Sequence, residues 1–483
     1  MLNRARKLTL SSFTQTKVVE PSHLESTEIN LSEQTRYYIT PIIQNVFEYD
    51  PTLGTRETKA ATQFNLYPLV VDSRGIPWAE ANVYLLDKMK NSLNVVMATY
   101  SNSASDLVAY RQFLDESNVN WTIFDKNKLY RPTYRYRAYL RTLIDAEEIG
   151  ISTARRRMST VIAFYRWLQS EGVLKPEFPM WKESDHYIDI KNQYGFSFTK
   201  QIKSTDVSIK VPNSKNPYAD TISDGGQLRP LIKDEQIFLL NALKKLKNIE
   251  MLLIHALALV SGARLQTILT MRLHHVLTDM AGSELKEIRI PAGPTTGIDT
   301  KNDKKIVIHV PIWLYQKLNI YALSENAKKR RAKSLLGNSD DQYLFLSNRG
   351  TPYYQSKSDM QNFSQDFDLH HAKNGQTVRQ FINDKVIPYI REHSNMPEFK
   401  YRFHDLRATF GMNLTDEQLE YVANKKISLH QAREFVRVRM CHESSATTDL
   451  YLQYRQNLKY IRKVASAYDD HLYEIISSLE LEH

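Results

Sequence analysis

The sequence has a single cysteine among its 483 residues. One cysteine cannot form an internal disulfide or a zinc site built on cysteines, and such scarcity is typical of a reducing compartment. Glycine and proline are also scarce, at 15 and 17 residues, which excludes collagen-like and low-complexity proteins. The longest apolar run, 251–260, is interrupted by His255 and is far shorter than the ~20 residues that span a bilayer. The basic N-terminus has no apolar signal-peptide core behind it, so we expect a cytoplasmic protein.

Positive charge is in excess. The 64 Lys and Arg residues outnumber the 54 Asp and Glu residues, which gives a formal net charge of +10 and favours an anionic partner such as nucleic acid. Arginines interleaved with tyrosines are concentrated on helices predicted within 95–181, where Ser105 and Ser152 suit N-caps and Pro132 suits a first turn. We predict that these arginines contact DNA phosphates: Arg131, Arg135, Arg137, Arg155, Arg156 and Arg157. The alternative is a solvated helix face.

The chain is too long for one ordinary core, so we expect several domains. The patterns predict an N-terminal arm with a small α/β subdomain over 1–94 and a helical domain over 95–181. A linker with strand-like segments follows over 182–227, and 228–483 forms a mainly helical domain with two strands at 286–290 and 306–310. The predicted fold class is therefore mainly α with a small β-sheet. Apolar residues at helical spacing within 466–483 predict a final helix, which docks on a neighbouring protomer or on its own domain.

Three residues of the last domain suit the binding of a phosphate. Arg264 follows a buried apolar helix and has no acidic residue nearby in sequence, so an anion from outside would balance it. His404 and Arg407 share a helix face, where an imidazole beside a guanidinium is a poor core pair. The pair is favourable when a phosphate lies between the two side chains. Two arginines on the non-bridging oxygens of a phosphodiester would stabilise a pentavalent transition state.

Tyr451 is the candidate nucleophile. It follows His442 by nine residues, and this spacing distinguishes it from Tyr454, one helical turn later. A free tyrosine has a pKa of ~10, so histidines or arginines must assist its attack. The leaving 5′ oxygen needs a proton, and a lysine in the loop between the two predicted strands suits that role. Lys301 is our candidate, with Lys304 and Lys305 as alternatives; the other interpretation of all three is a solvated hairpin tip.

In chain order these motifs resemble the tyrosine recombinases, also called phage-type integrases. The resemblance rests on Gly262-Ala-Arg264, a lysine in a β-hairpin, His404-Asp-Leu-Arg407, and His442 with Tyr451, and it extends to the helices of 95–181. It implies a helical SAM-like core-binding domain and a mixed α/β catalytic domain. It also implies roles for individual residues: Arg264 and Arg407 as phosphate ligands, Lys301 as general acid, His404 as acid/base, His442 as hydrogen-bond donor and Tyr451 as nucleophile.

The resemblance further implies a site-specific recombinase that integrates or excises a mobile element through a 3′-phosphotyrosyl intermediate. Its partner would be double-stranded DNA, with no metal, cofactor or membrane involved. It would be a tetramer on DNA, a monomer or weak dimer when free, and encoded by a bacterium or phage. Thr267 and Cys441 depart from the family pattern, since an acidic residue and a glycine are usual there. The alternative is a DNA-binding regulator that keeps the fold without catalysis.

Overall fold

The computed structural model describes residues 4–15, 62–92, 95–191, 197–210, 221–278, 284–360 and 373–457. Over these residues the chain is mainly helical, with small antiparallel two-stranded sheets, which confirms the predicted fold class. The described residues divide into two compact units, one over 4–210 and the other over 221–457. No helix of the described residues is both long and apolar enough to cross a membrane. The helix predicted within 466–483 lies outside the described residues.

The first unit combines two strand pairs with a group of helices. β1 (Arg6–Gln15) pairs with β2 (Thr62–Val71), and β3 (Glu183–Lys191) pairs with β4 (Ser197–Thr205). The helices are α1 (Ala79–Lys90), α2 (Met97–Glu116), α3 (Pro132–Asp145) and α4 (Ile151–Ser170).

Pro132 lies in the first turn of α3, as the sequence predicted. The predicted caps are wrong: Ser105 lies inside α2, where its hydroxyl donates to the Ser101 carbonyl at 2.9 Å, and Ser152 follows the N-cap Gly150.

One aromatic core holds the first unit together. Trp78, just before α1, and Tyr84, within α1, belong to the same cluster as Tyr110 of α2 and Tyr165 of α4. The hydroxyl oxygens of Tyr110 and Tyr165 lie 2.6 Å apart. Val207, which follows β4, is buried in the same cluster. The sequence patterns predicted domain boundaries within this stretch after residues 94 and 181. Short α/β segments bury too little surface to form a core alone, so sharing one core is the physically favourable arrangement.

The second unit is built around a buried apolar helix. Two strand pairs belong to it, β5 (Ile222–Ser223) with β6 (Gln227–Leu228) and β7 (Glu287–Ala292) with β8 (Ile306–Pro311). The β7–β8 hairpin confirms the two strands predicted at 286–290 and 306–310. The described helices are α5 (Lys233–Lys245), α6 (Ile249–Ser261), α7 (Leu265–Leu269), α8 (Ile312–Leu323), α9 (Glu325–Arg331), α10 (Lys357–Met360), α11 (Gln376–Phe381), α12 (Ile387–His393), α13 (Asp405–Ala423), α14 (Leu429–Arg439) and a further helical stretch, 445–457.

Proline 388 marks a change of helix type. Between α11 and α12 the residues Ile382–Val386 form a π-helical turn, after which Pro388 lies in the first turn of α12. The backbone stays helical from α11 through α12, so Pro388 removes one N–H from a continuous hydrogen-bond ladder. The wider π turn accommodates the irregular backbone that an uninterrupted α-helix could not.

A small apolar cluster in the second unit positions the candidate site. It joins Ile222 of β5 and Leu228 of β6 to Phe410 of α13, Met440 after α14, and Tyr451. All of these side chains are at least nine-tenths buried. The cluster therefore fixes the β5–β6 hairpin and the helix that carries Tyr451 against the same surface of α13.

Candidate active site

Arg264 is positioned by the end of α6. Gly262 caps this helix in the left-handed conformation (φ +63°), and its N–H donates to the Ala258 carbonyl. A Cβ at position 262 would lie 2.6 Å from the Phe410 ring, so glycine is required for space as well as for conformation. After this turn Arg264 becomes the N-cap residue of α7, with its side chain directed to the Asp224 carboxylate at 3.9 Å.

Arg407 lies in the first turn of α13 and is only 5% exposed. Its Nη1 donates to the Gly262 carbonyl at 2.9 Å, and its Nη2 donates to the Met440 carbonyl at 2.8 Å. The guanidinium therefore joins the end of α6 to the segment after α14. These two bonds orient the plane of the guanidinium and leave its Nε to face the centre of the site. His404 immediately precedes the same helix as its N-cap.

His442 and Tyr451 lie beside each other after α14. Their ring centroids are 5.7 Å apart, and Tyr451 has no measurable exposure. The Nδ1 atom of His442 lies 2.9 Å from the Thr448 hydroxyl, which orients the imidazole. Gly411 of α13 provides the space for the tyrosine ring, because a Cβ there would lie 2.4 Å from Cε1 of Tyr451. The Tyr451 ring is thus held in place by packing against α13 and His442.

Cys441 precedes His442 with a left-handed backbone, φ +54°. This conformation explains why a glycine suits the position, since a side chain is strained there. The partly exposed Cys441 lines a cleft together with Arg264, Lys301 and Lys304.

A carboxylate that the sequence analysis did not select lies at the centre of the site. Asp224, at the tip of the β5–β6 hairpin, is 5% exposed. Three groups converge on its Oδ2 atom: Arg407 Nε at 2.7 Å, His442 Nε2 at 3.2 Å and the Tyr451 hydroxyl at 3.1 Å. The turn itself was recognisable, because Asp-Gly-Gly is a hairpin-tip sequence. Nothing in the local sequence shows where the tip inserts.

The charges of the site fix its protonation. Burial opposes ionisation of Asp224, but the hydrogen bond from His442 and the charge of Arg407 hold the pKa of Asp224 well below its usual range. Burial and the negative Asp224 raise the pKa of Tyr451 well above its ordinary value. Burial and the charges of Arg264 and Arg407 lower the pKa of His404. The tyrosine is therefore protonated, and a neutral His404 is favoured as a proton acceptor.

Of the three candidate lysines, Lys301 is the one that lies beside the hairpin tip. A Cβ on Gly225 would lie 3.5 Å from Lys301 Nζ, and it would be 3.7 Å from His404 Nε2. Lys301 begins a short 3₁₀ turn between β7 and β8, and its side chain is exposed. Lys304 pairs instead with Glu443. The geometry therefore groups Lys301 with Arg264 and His404 around the hairpin tip.

The six arginines proposed to bind DNA lie in the first unit and differ in their surroundings. Arg131 is buried, and its guanidinium donates to the carbonyls of Asp125 and Lys126 at 2.7 and 2.8 Å, which gives it a structural role in the loop before α3. Arg156 pairs with the buried Asp106 while its own side chain is 48% exposed. The remaining four are partly or fully exposed on α3 and α4: Arg135, Arg137, Arg155 and Arg157.

Taken together, the site surrounds one anionic position with two guanidiniums, two imidazoles, a lysine and a tyrosine hydroxyl. Such a set can bind an anion and neutralise charge that develops on it. Within the described ranges, no group of three or more His, Cys, Asp or Glu side chains is arranged to hold a metal ion.

Comparison with known proteins gave matches among solved structures alone. No protein-family profile and no curated protein sequence matches the chain. A crystal structure of the XerH site-specific recombinase bound to difH substrate is similar over 77% of this chain and 80% of its own, at 12% identity and a TM-score of 0.39. A lambda integrase (75–356) dimer bound to a COC′ core site is similar over 77% and 95%, at 16% identity and a TM-score of 0.41.

A third structure, the Tn1549 transposon integrase in complex with circular intermediate DNA, is similar over 77% of this chain and 94% of its own. Its identity is 13% and its TM-score is 0.41. These three proteins are a site-specific recombinase and two integrases, each bound to DNA.

Proposed function

We propose that the chain is a tyrosine recombinase that cleaves and rejoins duplex DNA through a 3′-phosphotyrosyl intermediate. The observation that carries this proposal is the convergence of Arg407, His442 and Tyr451 on a single anionic oxygen. These are donors that a phosphodiester would need, and we assign the Tyr451 hydroxyl as the nucleophile among them.

In the proposed reaction the scissile phosphate takes the anionic position. Arg264 and Arg407 pair with its non-bridging oxygens, and His442 donates a further hydrogen bond. The Tyr451 oxygen attacks phosphorus as its proton passes to His404, whose lowered pKa favours the neutral base. The bond between phosphorus and the 5′ oxygen breaks, and Lys301 protonates that oxygen. The covalent phosphotyrosine retains the energy of the broken bond, and reversal by a 5′ hydroxyl rejoins the strand.

The proposal also concerns substrate and assembly. Duplex DNA as the substrate is supported by the net charge of +10 and by the partly or fully exposed arginines of α3 and α4. We assign the reaction to integration or excision of a mobile element within a tetramer on DNA. Tetramer assembly on the substrate is measurable by analytical ultracentrifugation.

The test is capture of the covalent adduct. The full chain is incubated with nicked duplexes of randomised sequence, from which a short 5′-hydroxyl fragment is lost after cleavage and traps the intermediate. A label at the 5′ end of the cleaved strand is expected to travel with the protein, while a 3′-end label is released. Peptide mapping should place the phosphate on Tyr451. A chain that binds DNA but gives no adduct from the whole pool would instead be the catalytically inactive regulator.

Lys301→Ala is expected to slow cleavage of ordinary DNA by roughly 10²–10⁴-fold, the usual contribution of a general acid. A substrate with sulfur in place of the 5′ bridging oxygen should restore the rate, because a thiol of pKa ~8.5 leaves without protonation. Adduct formation with both substrates measures this. Lys305→Ala, on the same loop, is the control and should cleave both normally. Failure of the sulfur substrate to rescue Lys301→Ala would remove the acid role.

A further inference from the structure

The β5–β6 hairpin tip places a carboxylate of the chain itself, that of Asp224, in the candidate site. Asp224 is presented by a tight turn whose strands pair Ile222 with Leu228, and its N–H donates to the Gly226 carbonyl at 3.0 Å. Both flanking residues are 2% exposed and packed in the cluster that contains Tyr451. The segment after the hairpin is held as well, since Arg229 N–H donates to the Asp405 carboxylate at 3.0 Å. The tip is therefore a built part of the site.

Asp224 engages the groups that the proposed reaction requires. A carboxylate and a phosphodiester each carry one negative charge and accept hydrogen bonds through oxygen. Arg407 Nε, His442 Nε2 and the Tyr451 hydroxyl are all directed at Oδ2 of this side chain, and Arg264 lies 3.9 Å from Oδ1. The same atoms cannot bind a DNA phosphate at the same time.

The backbone of the tip blocks the other side of the site. Gly225 lies so near Lys301, His404 and Arg264 that a Cβ added to it would be within 3.9 Å of all three. Gly225 has a left-handed backbone (φ +70°), and Gly226 follows it, so the tip contains two residues that can change conformation at little steric cost. The lysine, both histidines, both arginines and the tyrosine are thus all adjacent to this one turn.

We propose that the β5–β6 tip is an autoinhibitory plug, in which Asp224 occupies the position of the scissile phosphate until DNA displaces it. The identity of the displacing group rests on the proposed recombinase function, whereas occupation of an anion site by Asp224 does not. When the site is open in only a small fraction of the molecules, its apparent affinity for a ligand is the affinity of the open site multiplied by that fraction. DNA that makes few other contacts would therefore leave the plug in place, and cleavage would be confined to DNA bound well enough to expel it.

The plug is tested with Asp224→Ala and with Asp224→Asn, which keeps the shape of the side chain. Loss of any negative charge strengthens DNA binding nonspecifically, so the matched control is Asp234→Ala, an exposed aspartate on α5. The first measurement is thermal unfolding of the full chain with and without inorganic phosphate. Phosphate should raise the midpoint of both Asp224 variants and leave wild type and Asp234→Ala unchanged. Equal responses in all four proteins would overturn the plug.

The second measurement is the initial rate of adduct formation at subsaturating DNA. Removal of the plug should raise the rate roughly tenfold over Asp234→Ala, the scale set by a tenfold change in the open fraction. A fall in the rate of folded Asp224→Ala would instead make Asp224 part of the catalytic machinery and overturn the plug. If no protein forms an adduct, the recombinase proposal fails, and the response to phosphate still decides whether Asp224 occupies an anion site.

Discussion

Replacing Tyr451 with phenylalanine is expected to abolish the covalent adduct, a loss of roughly 10⁴-fold or more, because the ring then carries no nucleophilic oxygen. The chain should remain folded. The lost hydroxyl donates to Asp224, whose carboxylate keeps the bonds from Arg407 and His442, so the cost is about 1 kcal/mol. Adduct yield on the nicked duplexes and the urea midpoint measure the two effects separately.

Tyr454→Phe is the matched control for this prediction. Tyr454 lies one helical turn after Tyr451 in the stretch 445–457 and packs against the same cluster. The substitution removes a hydroxyl from the same helix, so the control variant should give an adduct yield close to wild type. An adduct that persists in Tyr451→Phe and disappears in Tyr454→Phe would transfer the nucleophile to the later tyrosine.

Arg407→Ala should be damaging in two ways. The truncation removes the shortest hydrogen bond to Asp224 and the partner of two backbone carbonyls, those of Gly262 and Met440. Breaking a buried ion pair from one side costs about 3–5 kcal/mol of unfolding free energy. Loss of a donor to the reacting phosphate lowers cleavage by about 10²–10³-fold. Urea unfolding and adduct kinetics report the two losses.

The double variant Arg407→Ala/Asp224→Ala separates these losses. Without Asp224 no uncompensated charge remains, so part of the unfolding free energy should return. Cleavage should not return, because the phosphate still lacks its guanidinium. If the double variant is no more stable than Arg407→Ala, the carboxylate is not the source of the instability. Recovery of cleavage would show that Arg407 acts on Asp224 and not on the substrate.

Much of the fold was predictable because the deciding signals are local. Three of these signals each span only a few residues: the apolar run of α6, the alternating pattern of the β7–β8 strands, and Pro132 at the start of α3. The order of the candidate-site motifs was also readable, since each is a short stretch at a recognisable spacing. The cap predictions were wrong because α2 begins upstream of Ser105, at Met97, and α4 begins at Ile151, before Ser152.

Asp224 could not have been identified as a site residue from local sequence signals. It is separated by 183 residues from Arg407 and by 227 from Tyr451, and its neighbours in sequence are turn formers. A turn sequence specifies a conformation but not the surface on which the turn rests. The apparent absence of an acidic partner for Arg264 followed from considering its sequence neighbours alone. The shared core of the first unit could not be predicted for the same reason, because the residues that form it are distant from one another in the chain.

The single cysteine has a practical consequence. Cys441 is the one thiol in the chain, and it adjoins His442 in a cleft that also contains Lys301 and Arg264. A thiol-reactive fluorophore would therefore label one position, beside the groups proposed to hold phosphate, without any cysteine having to be removed first. Emission from that position would follow the exchange between the Asp224 carboxylate and a DNA phosphate in real time, so the native sequence already carries the attachment point for a kinetic assay of site opening.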